Sequence, residues 1–449
     1  MFNPNLMMKR RRSDSSWVLF LIGLFSQTHI QVVGSIGISE LFIFLVAPFL
    51  YVTHYVIFKR ENVSKALNLL VLAMIGCVIA CWYNGTLLAS ALRGLASPYG
   101  FFAGVVVFYI LLRRDPMSFK WYLLGVTISF VICTFYFQQA VEVYKAEGAG
   151  AGGELSEKIM EGPIYWIGRL MGFVLWPIQG AYLKCPLAYS VLATCLFGIW
   201  SIVSSASGRS AALITLMSSV LILIGGKTRK SMIRVQRSFF MILIGGAILV
   251  FAFKSIYTAA AESGTLGEEA QNKLETQARG KKDMLSLLMG GRLPVFIGGY
   301  ACLQNPIWGY GPWALDQKGI TAEFMQKYGN EEDFQQMVAA HIYGQKMGVS
   351  RLTLLPAHSA IIGWWLWYGI LGLPIWIYAI YLFYDVVRNR LTAVPEFFGF
   401  FATMLPAYLW NIFFSPFGGR LGWAFLLTMI LLNRMIDERQ KRYALVTLH

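Results

Sequence analysis

Three short polar motifs, each beside an apolar run, carry the residues of this chain that are best suited to chemistry. The first spans 204–210 and ends in Gly208, Arg209 and Ser210, directly before an apolar segment. Small residues and an arginine at a helix N-terminus favour an anion, because free N–H groups and the positive end of the helix dipole point the same way. We therefore predict that Arg209 binds an anionic group. The alternative is an arginine that binds no ligand and only extends its charged group to the membrane interface (snorkelling).

The second motif, at 290–294, contains Arg292 between two glycines and a Leu-Pro pair. It opens an apolar stretch that leads to the segment 305–312, which is rich in glycine and proline. This composition predicts a fixed, irregular backbone near the membrane, with Arg292 as a second anion-binding residue. The alternative is a structural turn with a surface arginine.

The third motif is Pro356-Ala357-His358-Ser359, where a long polar loop meets the next apolar run. Among the five histidines, His358 is the one expected at such a junction. A histidine can act as a base near neutral pH, so His358 is the candidate catalytic residue. The alternative is a histidine that caps a helix or is satisfied at the interface.

Two arginines and a histidine on one face would suit the transfer of a glycan from a lipid-linked pyrophosphate. Arginines can hold the pyrophosphate through paired hydrogen bonds and stabilise the charge that develops as it departs. The acceptor hydroxyl is a poor nucleophile and needs a base. The sequence has no HExxH motif, no paired His/Cys ligand set and no GxSxG motif, and Leu221 stands where a phosphate loop would need glycine. We therefore predict neither a metal nor a cofactor.

The elements that must position these motifs are transmembrane helices. The 449 residues are 57% hydrophobic and 14% charged, whereas soluble proteins are about 25% charged. A span needs about 20 apolar residues, and this pattern predicts an all-α polytopic membrane protein of about twelve spans, forming one domain over 1–449. The predicted spans are 17–34, 38–58, 66–84, 97–112, 118–137, 166–183, 186–204, 210–226, 238–256, 359–384, 396–414 and 421–433, and 84–97 is a possible partial helix. A large, partly helical loop, 257–358, separates the ninth span from the tenth.

The distribution of basic residues predicts the orientation. More than half of the 38 Lys and Arg residues lie at the N-terminus or in loops after even-numbered spans. Because Lys and Arg are retained in cytoplasmic loops, both termini are expected in the cytoplasm and the large loop outside. The net charge of +15 therefore reflects topology, and no nucleic-acid partner is expected.

The three motifs also resemble the O-antigen ligase and O-antigen polymerase superfamily of bacterial envelope enzymes. The similar segments are Ser207-Gly-Arg209-Ser, then Gly291-Arg292 with Asn305-Pro-Ile-Trp-Gly-Tyr-Gly311, then Ala357-His358-Ser359 with Gly369-Ile-Leu-Gly372. The resemblance implies a GT-C-type glycosyltransferase of the bacterial inner membrane with its active site facing the periplasm. It implies that Arg209 and Arg292 bind undecaprenyl pyrophosphate and that His358 is the base. The chain differs in reading Ser-Gly-Arg where Ser-Arg-Gly is commoner, and His-Ser where His-Asn is commoner.

The function predicted from these observations is a metal-independent, inverting ligase that moves a glycan from undecaprenyl pyrophosphate to a lipid A core sugar. Two alternatives stay open: a polymerase whose acceptor is a second lipid-linked glycan, and a polysaccharide or lipid transporter. Arg93, Arg279 and Arg420 are possible further substrate contacts. The aromatic residues of 364–368 are expected to form an interfacial belt.

Overall fold

The computed structural model describes residues 15–26, 28–31, 35–132, 259, 263, 293–316, 318–328, 354–356, 359–390, 393–414 and 419–446. Within these ranges the protein is mostly helical. The sixth to ninth predicted spans, between 166 and 256, lie outside the described residues.

The N-terminal part is a series of helices interrupted by one small hairpin. Its helices are α1 (Ser15–Leu24), α2 (Ile38–Thr53), α3 (Tyr55–Arg60), α4 (Ser64–Tyr83), α5 (Leu88–Arg113) and α6 (Phe119–Ile132). Strands β1 (His29–Gln31) and β2 (Ser35–Gly37) pair antiparallel, with Ile30 opposite Ile36. From Leu88 onward, the predicted partial helix at 84–97 and the fourth predicted span form one continuous helix, α5.

The hairpin corrects one prediction, because the first predicted span continued as helix to residue 34. The helix ends at Leu24, and the chain then becomes extended. Residues 30–36 are rich in isoleucine and valine and include a glycine. Branched side chains favour strands, and glycine weakens a helix, so an apolar sequence here does not continue the helix.

The C-terminal part contains α7 (Leu293–Gln304), α8 (Ile320–Tyr328), α9 (Ala360–Tyr368), α10 (Pro374–Asp385), α11 (Phe398–Phe414) and α12 (Arg420–Val446). Short helical turns follow α9 at Gly369–Gly372 and α10 at Val386–Arg390. The predicted tenth span is therefore not one straight helix, since the chain bends by 110° between 360–372 and 374–390. Gly369 has a φ of +63° and Pro374 begins the new helix, a pairing that ends one helix and restarts another.

Close helix packing is visible where α1 crosses α6. A side chain at Gly23 would collide with the carbonyl of Tyr122, and one at Gly125 would collide with the carbonyl of Phe20. The two glycines thus let the backbones approach more closely than any other residue would permit. The main core lies around α5, which packs against α2, α4 and α12 and buries nearly all of its residues from 97 to 109.

The helices run between two polar ends, which we name after one residue each. The Arg420 end contains Glu40 at the start of α2 and Arg420 at the start of α12, which form an ion pair. The Glu61 end contains Glu61 after α3, Arg113 at the end of α5 and Arg439 in α12, which also form ion pairs. In the described residues, α4 and α5 are long and apolar enough to cross a membrane, and α9 with α10 makes a third candidate if the bent pair counts as one span.

Candidate functional site

Helices α7 and α9 lie side by side at the Arg420 end and run in the same direction. In its middle, α7 contacts the beginning of α9, because Gly298 faces Ile362 and the carbonyl of Pro356. Just after α7, the chain contacts later residues of α9 and the turn that follows it. The indole Nε1 of Trp365 donates to the carbonyl of Pro306 at 2.8 Å, and the backbone N–H of Ile370 donates to the carbonyl of Ile307 at 3.1 Å. The two helices therefore begin at the same end of the pair.

Two of the predicted site residues lie, in the sequence, directly before the starts of these helices. Arg292 immediately precedes Leu293, the first residue of α7, and His358 immediately precedes Ser359, the cap of α9. Arg292 and His358 themselves lie outside the described residues, as do Arg209 and Arg279. For Arg292 and His358, the structure therefore describes only the sequence neighbours Leu293 and Ser359.

Ser359 fixes the start of α9. Its hydroxyl donates to the carbonyl of Ile412 in α11 at 2.8 Å and accepts from the backbone N–H of Ile362 at 3.3 Å. The side chain is fully buried. Sequence reasoning treated this position only as a difference from a commoner motif. The signal that was missed is a serine directly before an apolar helix, which is a favoured N-cap.

The loop 305–312 holds the far ends of α7 and α9 against the bundle. The carbonyl of Gly309 accepts from the side-chain amides of Asn305 at 2.5 Å and Asn84 at 3.2 Å. Trp308 stacks on Tyr83 with ring centroids 5.6 Å apart. These contacts confirm the predicted fixed, irregular backbone of this loop.

Two glycines make the contact between this loop and α9 possible. Gly309 and Gly369 both have positive φ, at +67° and +63°. A side chain on Gly309 would lie 2.7 Å from the amide nitrogen of Gly369. The backbone conformation and the lack of space both exclude other residues.

Arg420 is held by protein groups. Its Nε lies 3.2 Å from Glu40 Oε1, and its Nη1 donates to the carbonyl of Ala96 at 3.2 Å. Glu40 also accepts from the backbone N–H of Gly37 at 3.2 Å, which caps α2. Sequence reasoning missed the role of Glu40, although a carboxylate at the start of an apolar helix is a known stabilising feature.

Arg93 is exposed on the second turn of α5. At the same end of α5, the carbonyl of Gly94 accepts a hydrogen bond from the hydroxyl of Tyr368 at 2.9 Å. Of the possible further substrate contacts, Arg93 and Arg420 are thus both at the Arg420 end, and Arg420 has the more buried guanidinium.

The aromatic residues 364–368 do not all form an interfacial belt. Trp364 and Tyr368 are each only 1% exposed and belong to the core. Trp364 packs edge-on against Trp376 with centroids 5.1 Å apart. The expectation was therefore wrong for these two residues, because a short helix crossing over the bundle turns one side inward.

Cys302 lies in the interface between α7 and α9. Its thiol is 3.7 Å from the carbonyl of Ile362, and burial raises its pKa to about 12. Because the thiolate is the reactive form, Cys302 acts here as a small apolar residue. Within the described ranges, no three His, Cys, Asp or Glu side chains are grouped so as to hold a metal ion.

The fold and these contacts define a mostly helical protein with candidate membrane spans. No family model, no curated protein and no solved structure matches the chain.

Proposed function

We propose that this protein is an inner-membrane glycosyltransferase that moves a glycan from undecaprenyl pyrophosphate to an acceptor hydroxyl at the periplasmic face. The acceptor oxygen attacks the anomeric carbon, the bond from that carbon to the pyrophosphate oxygen breaks, and the anomeric configuration inverts. The hydroxyl proton passes to His358, and the pyrophosphate leaves with the bonding electrons. No metal or cofactor takes part.

The proposed roles of the arginines follow from the charge of the donor. Arg209 and Arg292 hold the pyrophosphate and stabilise its added charge in the transition state. Arg93 and Arg279 are proposed as further contacts to the donor, and Arg420 as a contact made while it remains paired with Glu40.

The observation that carries the proposal is the parallel packing of α7 and α9. Helix α7 starts directly after Arg292, and Ser359, the cap of α9, directly follows His358; both are proposed site residues. Because the helices begin at the same end, an anion-binding residue and a base at these positions would lie at the same end of the helix pair. The buried Ser359 cap fixes the start of α9, which provides a rigid support for a reaction centre.

The membrane arrangement belongs to the proposal as well. It has about twelve GT-C-type spans, both termini in the cytoplasm, and the loop 257–358 in the periplasm. The favoured acceptor is a lipid A core sugar, which makes the protein an O-antigen ligase. A polymerase in the same family would use a second lipid-linked glycan.

The test uses the purified full chain in detergent with an undecaprenyl-pyrophosphate glycan and EDTA. Wild type is compared with His358→Ala and Arg292→Ala, each supplied with lipid A core or with the lipid-linked glycan alone. His341→Ala and Arg351→Ala are the matched controls, since both replace the same residue types elsewhere in the same loop. Thermal unfolding of each variant shows whether it is folded.

We expect product on lipid A core with wild type and both controls, and a loss of at least about 100-fold with His358→Ala, the usual scale for a general base. Glycan ladders formed without lipid A core would make the protein a polymerase. Equal activity of wild type and His358→Ala would remove His358 as the base. The absence of product from every lipid-linked donor would contradict glycosyl transfer and favour transport.

A further inference from the structure

A basic cavity lies at the Glu61 end of the bundle, on the opposite side of the molecule from the candidate site. Its volume is about 410 Å³, and it is enclosed by the α3–α4 turn, the end of α5, α10 and α12. Its cations are Arg60, Lys65, Arg113, Arg434, Arg439 and Arg442. Its carboxylates are Glu61 and Glu438, so positive charge is in clear excess.

Both carboxylates are already engaged. Glu61 Oε1 accepts from Nη2 of Arg113 and from Nη2 of Arg439, each at 2.7 Å. Its Oε2 accepts from Nε of Arg113 at 2.8 Å and from the hydroxyl of Tyr109 at 2.6 Å. Glu438 pairs with Arg434 at 2.9 Å. Neither carboxylate is left to neutralise the other cations.

The remaining cations are Arg60, Lys65 and Arg442. None of them has an ion-pair or hydrogen-bond partner among the residues that the structure describes. They come from three separate places: the end of α3, the start of α4 and the last turns of α12. Three like charges brought together from different helices repel one another, and a bound anion would offset that repulsion.

The other walls of the cavity suit a phosphate group that carries an apolar tail. Tyr378 and Tyr381 of α10 line it, and their rings stack with centroids 6.2 Å apart. The volume falls in the range of small-molecule sites, about 300–1,000 Å³. Arginine favours phosphate because its N–H groups match the phosphate oxygens.

We propose that this cavity binds a phosphate group, carried either by an anionic phospholipid headgroup or by a soluble phosphate compound. Basic pockets between helices on the cytoplasmic side of membrane proteins bind anionic headgroups, and the positive-inside rule predicts that the Glu61 end faces the cytoplasm. The proposal does not depend on the glycosyl transfer proposed above.

The test measures binding to the purified full chain by the thermal unfolding shift and by native mass spectrometry. The probes are phosphatidylglycerol, phosphatidylcholine as the neutral lipid, and glycerol 3-phosphate as the soluble phosphate. The test variant replaces Arg60, Lys65 and Arg442 by Gln. The matched control replaces Lys59, Arg114 and Arg388 by Gln, which removes the same charge near the same end without touching the cavity lining.

We expect phosphatidylglycerol to bind wild type and the control triple variant, and to bind the cavity triple variant at least about tenfold more weakly, as expected for lost charge-assisted hydrogen bonds. A shift with phosphatidylglycerol alone identifies a lipid headgroup as the ligand. A shift with glycerol 3-phosphate as well identifies the phosphate itself.

Two results would overturn the proposal: equal binding losses in the cavity and control variants, or no binding of either phosphate probe by wild type. If the triple variant does not fold, the single variants Arg442→Gln and Arg114→Gln make the same comparison.

Discussion

Arg420 Nε lies 3.2 Å from Glu40 Oε1, and this ion pair joins the first turns of α12 and α2. The side chains are 21% and 11% exposed, so the pair is mostly shielded from water. Arg420 extends the connection to α5 through its hydrogen bond to the carbonyl of Ala96 at 3.2 Å. Three helices far apart in the sequence are thus tied at one end of the bundle.

The Glu40→Gln variant is expected to lower the free energy of unfolding by about 1–3 kcal/mol, because it leaves a partly buried guanidinium without its counter-charge. The double variant Glu40→Gln/Arg420→Gln should lose less unfolding free energy than the sum of the losses in the two single variants. Each single variant leaves one unpaired charge, whereas the double variant leaves none. Denaturation of the four proteins in one detergent measures this coupling. Strict additivity would show that the ion pair contributes nothing.

The packing of α7 on α9 predicts different effects for two adjacent glycines. A side chain at Gly298 would lie 2.6 Å from the carbonyl oxygen of Pro356, whereas one at Gly299 would meet only a methyl of Ile362 at 4.0 Å. Gly298→Ala should therefore cost about 1–3 kcal/mol by overpacking, and Gly299→Ala should be neutral or stabilising by up to about 1 kcal/mol. Thermal unfolding distinguishes the two, and equal effects would argue against the parallel packing.

The buried Ser359 hydroxyl predicts a loss of stability when it is removed. Ser359→Ala breaks the cap of α9 and the hydrogen bond to Ile412, and we expect a loss of about 1–2 kcal/mol. Ser359→Thr keeps the hydroxyl and should lose less. The measurement is the unfolding midpoint of both variants, and a midpoint for Ser359→Ala equal to that of wild type would contradict the capping role.

The cluster around Glu61 predicts a pH dependence of stability. Burial alone would raise the pKa of Glu61, but hydrogen bonds from Arg113 and Tyr109 and the charges of Arg113 and Arg439 bring it below its ordinary value. The ionised form is therefore favoured by folding. Its contribution is complete above the pKa of an unfolded Glu, about 4.3, and is lost as the pH falls through the lower folded value.

The comparison that checks this dependence is wild type against Glu61→Gln. The difference between their unfolding midpoints should stay constant between pH 5 and 7, and should shrink as the pH drops below about 4. A difference that already changes between pH 7 and 5 would show that the pKa of Glu61 is not lowered.

The long apolar helices were predictable because each is a continuous run bounded by polar residues. The predicted spans 66–84 and 396–414 correspond closely to α4 and α11. The early end of α1 and the 110° bend after α9 were not predicted. Both occur inside apolar stretches, where hydropathy stays high although branched residues or Gly369 change the backbone.

The residue types proposed for the candidate site come from the sequence, whereas the contacts of the described residues could not be predicted from it. Arg209, Arg292 and His358 lie outside the described residues, so their roles and their convergence stay predictions. The pairing of Glu40 with Arg420, by contrast, depends on how distant helices meet. No local pattern around either residue encodes it.

Helix α12 has a practical consequence for structure determination. It runs unbroken for 27 residues from Arg420 to Val446, about 40 Å at the standard rise, and its residues from 439 to 446 are exposed. A partner protein fused through a continuous helix directly after Val446 would be rigidly oriented, and its orientation would turn by about 100° for each residue added or removed. Such a fusion would serve as an alignment marker for electron microscopy, because its direction would follow the axis of α12, which begins at Arg420.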